Sequence, residues 1–465
     1  MTKNNHPFPI FVSPAKAGVQ FNVFQRKDHS TNDVYTIMDS LVKALVNSFI
    51  TLCALRYAPC YFFKTIRREF KPMPDLKIKI KDVVLKNPII IASGTPTYGL
   101  SMVKKCIRSE AAAFVTKTLC YTEWLQKQPR PRWHIEHPEA IEAGGYFSLY
   151  STERLNPTPP EEYARKKMRE YAKEAHDFDV KVIASIAGTD PETWAKLTDL
   201  ATENGADMIE LNLQCPHVEK GQPTGMIAGR DPELCYPILA LVSQRTPLPI
   251  IGKVVGEGVD PIKVASRMID GGADAVVVTG RFQGLLLDIE TEKPIHWGGM
   301  GGYGGFWQAP ITRKWLVRAY EADLKVPVIG GAGIGTHEDI ISYILCGATA
   351  VQICTAVIIY GHKIIKRWLR QISGWMETKG YQSIADFLAR SVNQIIAPSQ
   401  IPGDGPYASR IDPDACRKCL RCMEACPHGA IAVIDKNLVV DTEKCDGCRL
   451  CVALCDQGAA EFYKK

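Results

Sequence analysis

Residues 249–280 read PIIGKVVGEGVDPIKVASRMIDGGADAVVVTG, and the fold follows from how that stretch is punctuated. The runs Pro249–Val254 and Asp274–Gly280 are short, apolar and rich in β-branched residues, which is strand composition. Between them, Asp260-Pro261 opens and Gly271-Gly272 closes an amphipathic segment, Pro261–Asp270. An acidic cap followed by proline satisfies the idle N–H groups of a helix start, and glycine suits a helix end. Strand, helix and strand in that order predict a parallel crossover unit.

The same punctuation recurs in both directions. Strand candidates are Asn87–Thr95, Ala112–Leu119, Val180–Gly188, Asp207–Cys215, Pro249–Val254, Asp274–Gly280, Val326–Gly333 and Thr349–Ala356. Helical segments fall between them, among them Pro160–Phe178, Pro191–Asn204, Asp231–Gln244 and Pro261–Asp270, with further caps at Thr189-Asp190-Pro191 and Asp231-Pro232 and a glycine end at Gly205. Eight units predict an α/β fold, a (β/α)8 TIM barrel, whose reactive groups sit at the C-terminal strand ends. An open doubly wound sheet is the alternative, but Gly94-Thr95-Pro96 after the first strand is not its dinucleotide fingerprint.

The chain has 465 residues, too many for one average domain. The reading divides it into an N-terminal extension, partly helical (1–72), the barrel (73–396), a linker (397–410) and a cysteine-rich domain (411–465). Apolar content of 46% and charged content of 23% are globular values, which excludes a disordered or fibrous chain. A formal charge of +6 without runs of Lys and Arg interleaved with aromatics argues against a nucleic-acid partner. Residues 44–63 are nearly all apolar, yet Arg56 and Pro59 interrupt them. The longest uncharged stretch, Ala44–Leu55, is twelve residues against the ~20 that a membrane span needs. Met38 and Met73 are alternative starts. A signal peptide is not expected, since no small-residue cleavage site follows the apolar segment.

Eight of the sixteen cysteines lie in the last fifty residues and are written twice as C-x-x-C-x-x-C-x-x-x-C. They are Cys416, Cys419, Cys422 and Cys426, then Cys445, Cys448, Cys451 and Cys455. Thiolates are the soft ligands that iron-sulfur clusters require, and in this spacing the fourth cysteine reaches across to the other cluster. Cys416, Cys419, Cys422 and Cys455 are therefore assigned to one 4Fe-4S cluster and Cys445, Cys448, Cys451 and Cys426 to a second. Zinc knuckles and disulfides need neither the third cysteine nor the x-x-x-C ending. The domain resembles bacterial two-cluster ferredoxins, with Asp456 where the second repeat usually has proline. The other eight cysteines (Cys53, Cys60, Cys106, Cys120, Cys215, Cys235, Cys346 and Cys354) form no spacing framework, as expected of a reduced, cytoplasmic protein.

In the barrel, Glu210–His217 (ELNLQCPH) alternates so that Asn212 and Gln214 share one face and Leu211, Leu213 and Cys215 the other, until Pro216 breaks the ladder. Cys215 at that strand end is a candidate catalyst over the barrel mouth; the plainer alternative is a small buried filler. Thr116-Lys117-Thr118 and Gly252-Lys253-Val254 each place a lysine among apolar neighbours near the same rim. Such lysines are costly to bury unless an anion meets them; snorkelling to solvent is the alternative. Gly330-Gly331-Ala332-Gly333 and Gln352-Ile353-Cys354-Thr355 end the last two strands, the usual phosphate cradle of this barrel. The glycine-rich Trp297–Gly305 is a candidate lid, or else a rigid turn.

These segments (DVVLKNPIIIASGTP, TKT, ELNLQCPH, GKV, GGADAV and GGAG) resemble the dihydroorotate dehydrogenase superfamily over residues 75 to 370. With the ferredoxin-like domain the chain is most similar to the iron-sulfur and FMN subunit of dihydropyrimidine dehydrogenases. The resemblance implies an FMN barrel with Ala92, Ser93 and Gly94 at the flavin, Lys117 and Lys253 on its ring, and Asn212 between flavin and substrate. It implies that Gly331, Gly333, Cys354 and Thr355 hold the FMN phosphate, and that Cys215 is the acid/base on substrate carbon. The implied reaction reduces or forms an activated C=C bond, with hydride exchanged between flavin and the β-carbon and a proton between Cys215 and its neighbour. A free thiol titrates near ~8.5, close enough to neutrality for that task.

The chain departs from the resemblance at the substrate. Gly280-Arg281 stands where the pyrimidine-reading Asn-Thr is expected, and Gly145-Tyr146-Phe147-Ser148 where another asparagine is expected, leaving Asn212 alone. Loss of such amides argues against uracil or thymine. Arg281 and Tyr146 are candidate substrate residues, Arg281 by pairing with a carboxylate or phosphate. With no nicotinamide fingerprint, the expected donor is an NADH-oxidising flavoprotein subunit or a reduced ferredoxin, within a homo- or hetero-oligomer. Two rivals are an electron-transfer subunit with a scaffold-like barrel, and a lyase or isomerase with structural clusters.

Overall fold

The computed structural model describes residues 73–143, 145–215, 225–296, 299–403 and 405–465. The expectations for residues 1–72, and for Pro216, His217, Trp297 and Gly298, fall outside these residues. Eight strands close into a parallel barrel: β1 (Ile89–Ile91), β2 (Ala113–Val115), β3 (Lys181–Ile186), β4 (Met208–Leu211), β5 (Ile250–Lys253), β6 (Ala275–Val277), β7 (Val328–Gly330) and β8 (Ala350–Ile353). Each pairs with its sequence neighbours, and β8 returns to β1 through Val351 opposite Ile89. Closure excludes the open sheet.

Helices cover the barrel, and their caps lie where aspartate precedes proline. The Asp190 side chain accepts from the N–H of Thr193, Asp231 from Glu233 and Asp260 from Ile262, opening Pro191–Glu203, Pro232–Ser243 and Pro261–Asp270. The helix expected over Pro160–Phe178 carries a π-helical stretch, Tyr163–Met168, between Pro160–Glu162 and Arg169–Asp177. At the N-terminal end, the hairpin Ile78–Ile80/Val83–Leu85 buries Ile80 and Leu85, and Lys81 pairs with Asp274 just before β6.

The strands are shorter than their apolar runs because the chain leaves the ladder as it turns over the barrel mouth. Residues 92–95, 116–119 and 212–215 lie beyond their strands and supply much of the cavity wall described below. Two insertions, after β2 and after β6, form a four-stranded antiparallel sheet in the order Phe282–Gly284, Gly301–Gly304, Ser148–Ser151, Trp133–Glu136. The described part of the candidate lid is thus an inner strand of a sheet. Its glycines allow close approach: a Cβ on Gly301 would stand 2.9 Å from the Tyr150 ring, and one on Gly302 2.7 Å from the Arg281 guanidinium carbon.

Beyond the barrel helices, Tyr407–Ile411 pairs with Ala460–Lys464 and Ile431–Ile434 with Asn437–Val440, around the helices Arg421–Glu424 and Leu450–Leu454. No helix among the described residues is long and apolar enough to cross a membrane.

Two glycines test the packing with opposite signs. A Cβ on Gly305 would lie 2.2 Å from the Phe147 carbonyl oxygen, whereas one on Gly374, within the helix Ile364–Lys379, meets nothing within 4 Å. Chemical denaturation is expected to show Gly305→Ala destabilising by about 1–3 kcal/mol and Gly374→Ala stabilising by up to about 1 kcal/mol. Equal effects would contradict the packing described.

Candidate functional site

The C-terminal strand ends open into a cavity of about 1160 Å³, counted out to its mouth. Ala92, Ser93, Gly94, Lys117, Asn212, Cys215, Lys253, Arg281, Gly331, Gly333, Cys354 and Thr355 all line it. Tyr146 does not: it is 69% exposed and absent from the wall. Trp133 and Leu149 of the antiparallel sheet line the cavity instead.

Both lysines already meet anions of the protein. Lys117 Nζ lies 2.8 Å from Glu153 Oε2, with side chains 7% and 4% exposed, and Thr95 Oγ1 donates to Glu153 Oε1 at 2.9 Å. Burial alone would push the Glu153 carboxyl up, but Lys117, Thr95 and the more distant Arg281 together hold it below the usual carboxylate range. Lys253 Nζ donates to Gln352 Oε1 at 2.6 Å and lies 3.3 Å from Glu210 Oε1, while Gln352 Nε2 donates to the other oxygen of Glu210. These two ion pairs supply the anions that the burial of the lysines requires.

Glu210 was legible, since it precedes Asn212 and Gln214 by the same two-residue step that places them on one face. Gln352 likewise stands two residues before Cys354. Nothing local marks Glu153, which is brought in by the insertion after β2.

Polar side chains bridge neighbouring strand ends. Asn212 Nδ2 donates to Thr118 Oγ1 at 2.9 Å, Thr118 Oγ1 lies 2.8 Å from Ser185 Oγ, and Gln214 Nε2 donates to the Val254 carbonyl. Beyond the strand the alternation persists through Gln214, with Asn212 and Gln214 on the cavity and Leu213 off it, and fails at Cys215, which lines the cavity too. It packs in a small cluster with Cys120, Leu125 and Leu155. Burial, reinforced by Cys215, pushes the Cys120 thiol up to about 12, so Cys120 stays protonated.

At the opposite wall the backbone turns left-handed at Ala332 (φ 53°) and Gly333 (φ 82°). A Cβ on Gly331 would lie 2.2 Å from the Thr279 carbonyl oxygen, one on Gly333 2.4 Å from the Ala309 nitrogen, and one on Gly94 2.9 Å from Cys354 Sγ. Glycine is thus a steric requirement at Gly331 and Gly333, where the close atoms are backbone. Arg281 is exposed at the cavity rim and makes no salt bridge among the described residues.

The cysteine-rich domain contains two further cavities, of about 350 and 370 Å³. One is lined by Cys426, Cys445, Cys448 and Cys451 and the other by Cys416, Cys419 and Cys455, with Cys422 on the wall of both. The loops repeat in backbone as well as sequence. Positive φ occurs at Lys418 and Gly447, at Leu420 and Arg449, and at Gly429 and Gly458, each pair offset identically from its cysteines. Three of these six are not glycine, and such strain persists only where the surroundings over-determine it. The N–H of Ala430 points to Cys426 Sγ at 3.4 Å and that of Ala459 to Cys455 Sγ at 3.2 Å.

A closed parallel barrel with an amide- and lysine-lined mouth, followed by paired cysteine loops, defines a class: oxidoreductases that join a barrel redox site to a ferredoxin. The family model for dihydroorotate dehydrogenase matches residues 75–376, and that for the 4Fe-4S dicluster domain matches residues 408–456. The chain is 32% identical over 319 residues, 69% of its length and 99% of the relative's, to the dihydroorotate dehydrogenase B (NAD(+)), catalytic subunit, of Caldicellulosiruptor bescii. The proteins of the same description from Methanocaldococcus jannaschii and Pyrococcus abyssi are 31% identical over 303 residues and 32% over 313, covering 65% and 67% of this chain and 94% and 98% of theirs. The chain belongs to the dihydroorotate dehydrogenase family, oxidoreductases acting on CH–CH bonds, and carries an iron-sulfur ferredoxin domain in addition.

The buried Lys117–Glu153 pair gives a pH-dependent prediction. Because the folded-state pKa of Glu153 is depressed, its contribution is fully present above the ordinary carboxylate pKa and is lost as pH falls through the folded value. Glu153→Gln is expected to cost on the order of 3 kcal/mol at pH 7. Its stability should converge with that of the parent protein on acidification, as followed by denaturant titration. A difference independent of pH would contradict the assignment.

Proposed function

We propose that this protein reduces or forms an activated C=C bond in a small, cyclic substrate bearing an anionic group, with FMN in the barrel cavity and two 4Fe-4S clusters in the C-terminal domain. The observation that carries this reading is the convergence of all ten flavin candidates and Cys215 on one cavity. The donor set suits FMN: two ammonium groups, the amides of Asn212 and Gln214, and a glycine turn where backbone can approach a phosphate. When bound, FMN supplies hydride exchange at its ring and single-electron exchange with iron-sulfur centres.

The protein's own residues do the rest. Lys117 and Lys253 are held as cations at the cavity wall by Glu153 and Glu210, and so favour negative charge on a bound ring. Asn212, anchored on Thr118, presents its amide to the cavity. Gly331, Gly333, Cys354 and Thr355 are the proposed phosphate cradle. Cys215 carries the proton to or from the substrate carbon, in a pocket whose apolar lining by Leu125 and Leu155 limits water. Arg281, a rim cation that makes no salt bridge among the described residues, is the proposed partner of the substrate's carboxylate or phosphate. Dihydroorotate, the substrate in the relatives' name, is one compound of this class, while the residues at Gly280-Arg281 and Gly145–Ser148 favour a substrate other than uracil or thymine.

In the C-terminal domain we assign Cys416, Cys419, Cys422 and Cys455 to one cluster and Cys426, Cys445, Cys448 and Cys451 to the other, following the two cavities. The relatives' description as a catalytic subunit supports an electron-exchanging partner, an NADH-oxidising flavoprotein or a reduced ferredoxin.

The test is anaerobic turnover with a panel that sets pyrimidines beside anionic cyclic compounds. Cys215→Ser is expected to retain flavin and lose at least about 10²-fold in turnover at neutral pH, the lower range for a general acid/base. Arg281→Ala is expected to weaken saturation by the anionic substrate selectively. A Cys215→Ser protein with full activity removes the assigned acid.

A further inference from the structure

The cavity lined by Cys426, Cys445, Cys448 and Cys451 contains one polar group that the ligand assignment does not use. Ser409, on the strand Tyr407–Ile411, is 1% exposed, its hydroxyl oxygen is buried without a hydrogen-bond partner among the described residues, and it lines this cavity. Around it the wall is apolar, formed by Pro427, Ala430, Ile431, Val440 and Leu450. The polar side chains of His428 and Asp446 are half exposed and occupied with each other at 2.8 Å. A buried hydroxyl left without a partner is costly, and the acceptors this cavity offers are sulfurs.

The second cavity is built differently. Its polar wall is Arg417, Arg421, Asp456 and Gln457, in which Asp456 pairs with Arg417 at 2.7 Å and Arg421 at 3.6 Å. No buried hydroxyl lines it. Loops that match in cysteine spacing and backbone are therefore unlike in the groups around the sulfurs.

We propose that the Ser409 hydroxyl donates a hydrogen bond to a sulfur of the cluster held by Cys426, Cys445, Cys448 and Cys451, and so raises that cluster's reduction potential. The inference rests on the assignment of two clusters made above. Hydrogen bonds to sulfur are among the determinants of cluster potential, because a donor stabilises the more negative, reduced state. Ser409 is a tuning residue, not a ligand: its removal leaves the four thiolates in place. Its consequence is a potential at that centre above the one the four thiolates alone would set.

The experiment uses full-length protein purified anaerobically, with iron content and an EPR-monitored redox titration of the parent, Ser409→Ala and Ser409→Thr. About eight irons per chain are expected in all three. In Ser409→Ala one midpoint should move negative by up to tenfold in the one-electron equilibrium, about 59 mV, while the other stays in place. Pulsed EPR after exchange into deuterated buffer should show one exchangeable proton coupling lost in Ser409→Ala and kept in Ser409→Thr. Eight irons with unchanged midpoints and an unchanged coupling in Ser409→Ala overturn the role of Ser409 alone. A parent protein with only four irons overturns the two-cluster assignment as well.

Discussion

Two buried ion pairs at the barrel mouth are the constraint on which the rest of the site depends. Lys117 follows β2 and Lys253 ends β5, with β3 and β4 between them in the barrel, and at each place an unpaired buried ammonium would be costly. Glu153 and Glu210 prevent that, with Gln352 and Thr95 satisfying the remaining carboxylate oxygens. The pairs also join distant parts of the chain. Glu210 ties β4 to β5 and, through Gln352, to β8; Glu153 ties the end of β2 to the insertion that carries the antiparallel sheet. Electrostatics thereby becomes architecture. Because Ser148–Ser151 precedes Glu153 by only a turn, the ion pair anchors the sheet that supplies Trp133, Leu149 and the strand beneath Arg281.

The cysteine-rich domain solves a different problem with the same economy of parts. Its two loops repeat not only the cysteine spacing but the positions of left-handed backbone, including three residues that have a Cβ. A repeat at that level makes two similar cavities, while the surrounding side chains make them chemically distinct. Equivalent ligands in inequivalent surroundings are how a pair of like centres acquires an order.

The barrel was legible because its information is local. Aspartate before proline marks helix starts, glycine marks helix ends, and eight short apolar runs alternating with helical segments leave few alternatives to closure. The cavity wall was legible for the same reason, since residues at strand ends must face the mouth. What escaped notice depends on contacts far apart in sequence. Glu153 reaches Lys117 only through an insertion of more than thirty residues, and the glycine-rich segment near Gly301 looks like a loop until its partners Tyr150 and Ser151 are known. Aromatic character beside a gap in a resemblance says nothing about direction: Tyr146 is outside the cavity wall, and three residues later Leu149 reaches it.

The most direct test of the account is the flavin content of full-length protein purified without oxygen. Acid release followed by chromatography is predicted to yield one FMN per chain, and Gly331→Val, whose side chain would intrude on the Thr279 carbonyl and the proposed phosphate cradle, is predicted to yield far less. Protein that folds, fills its clusters and contains no FMN would contradict the central claim that the lysine-lined mouth is a flavin site.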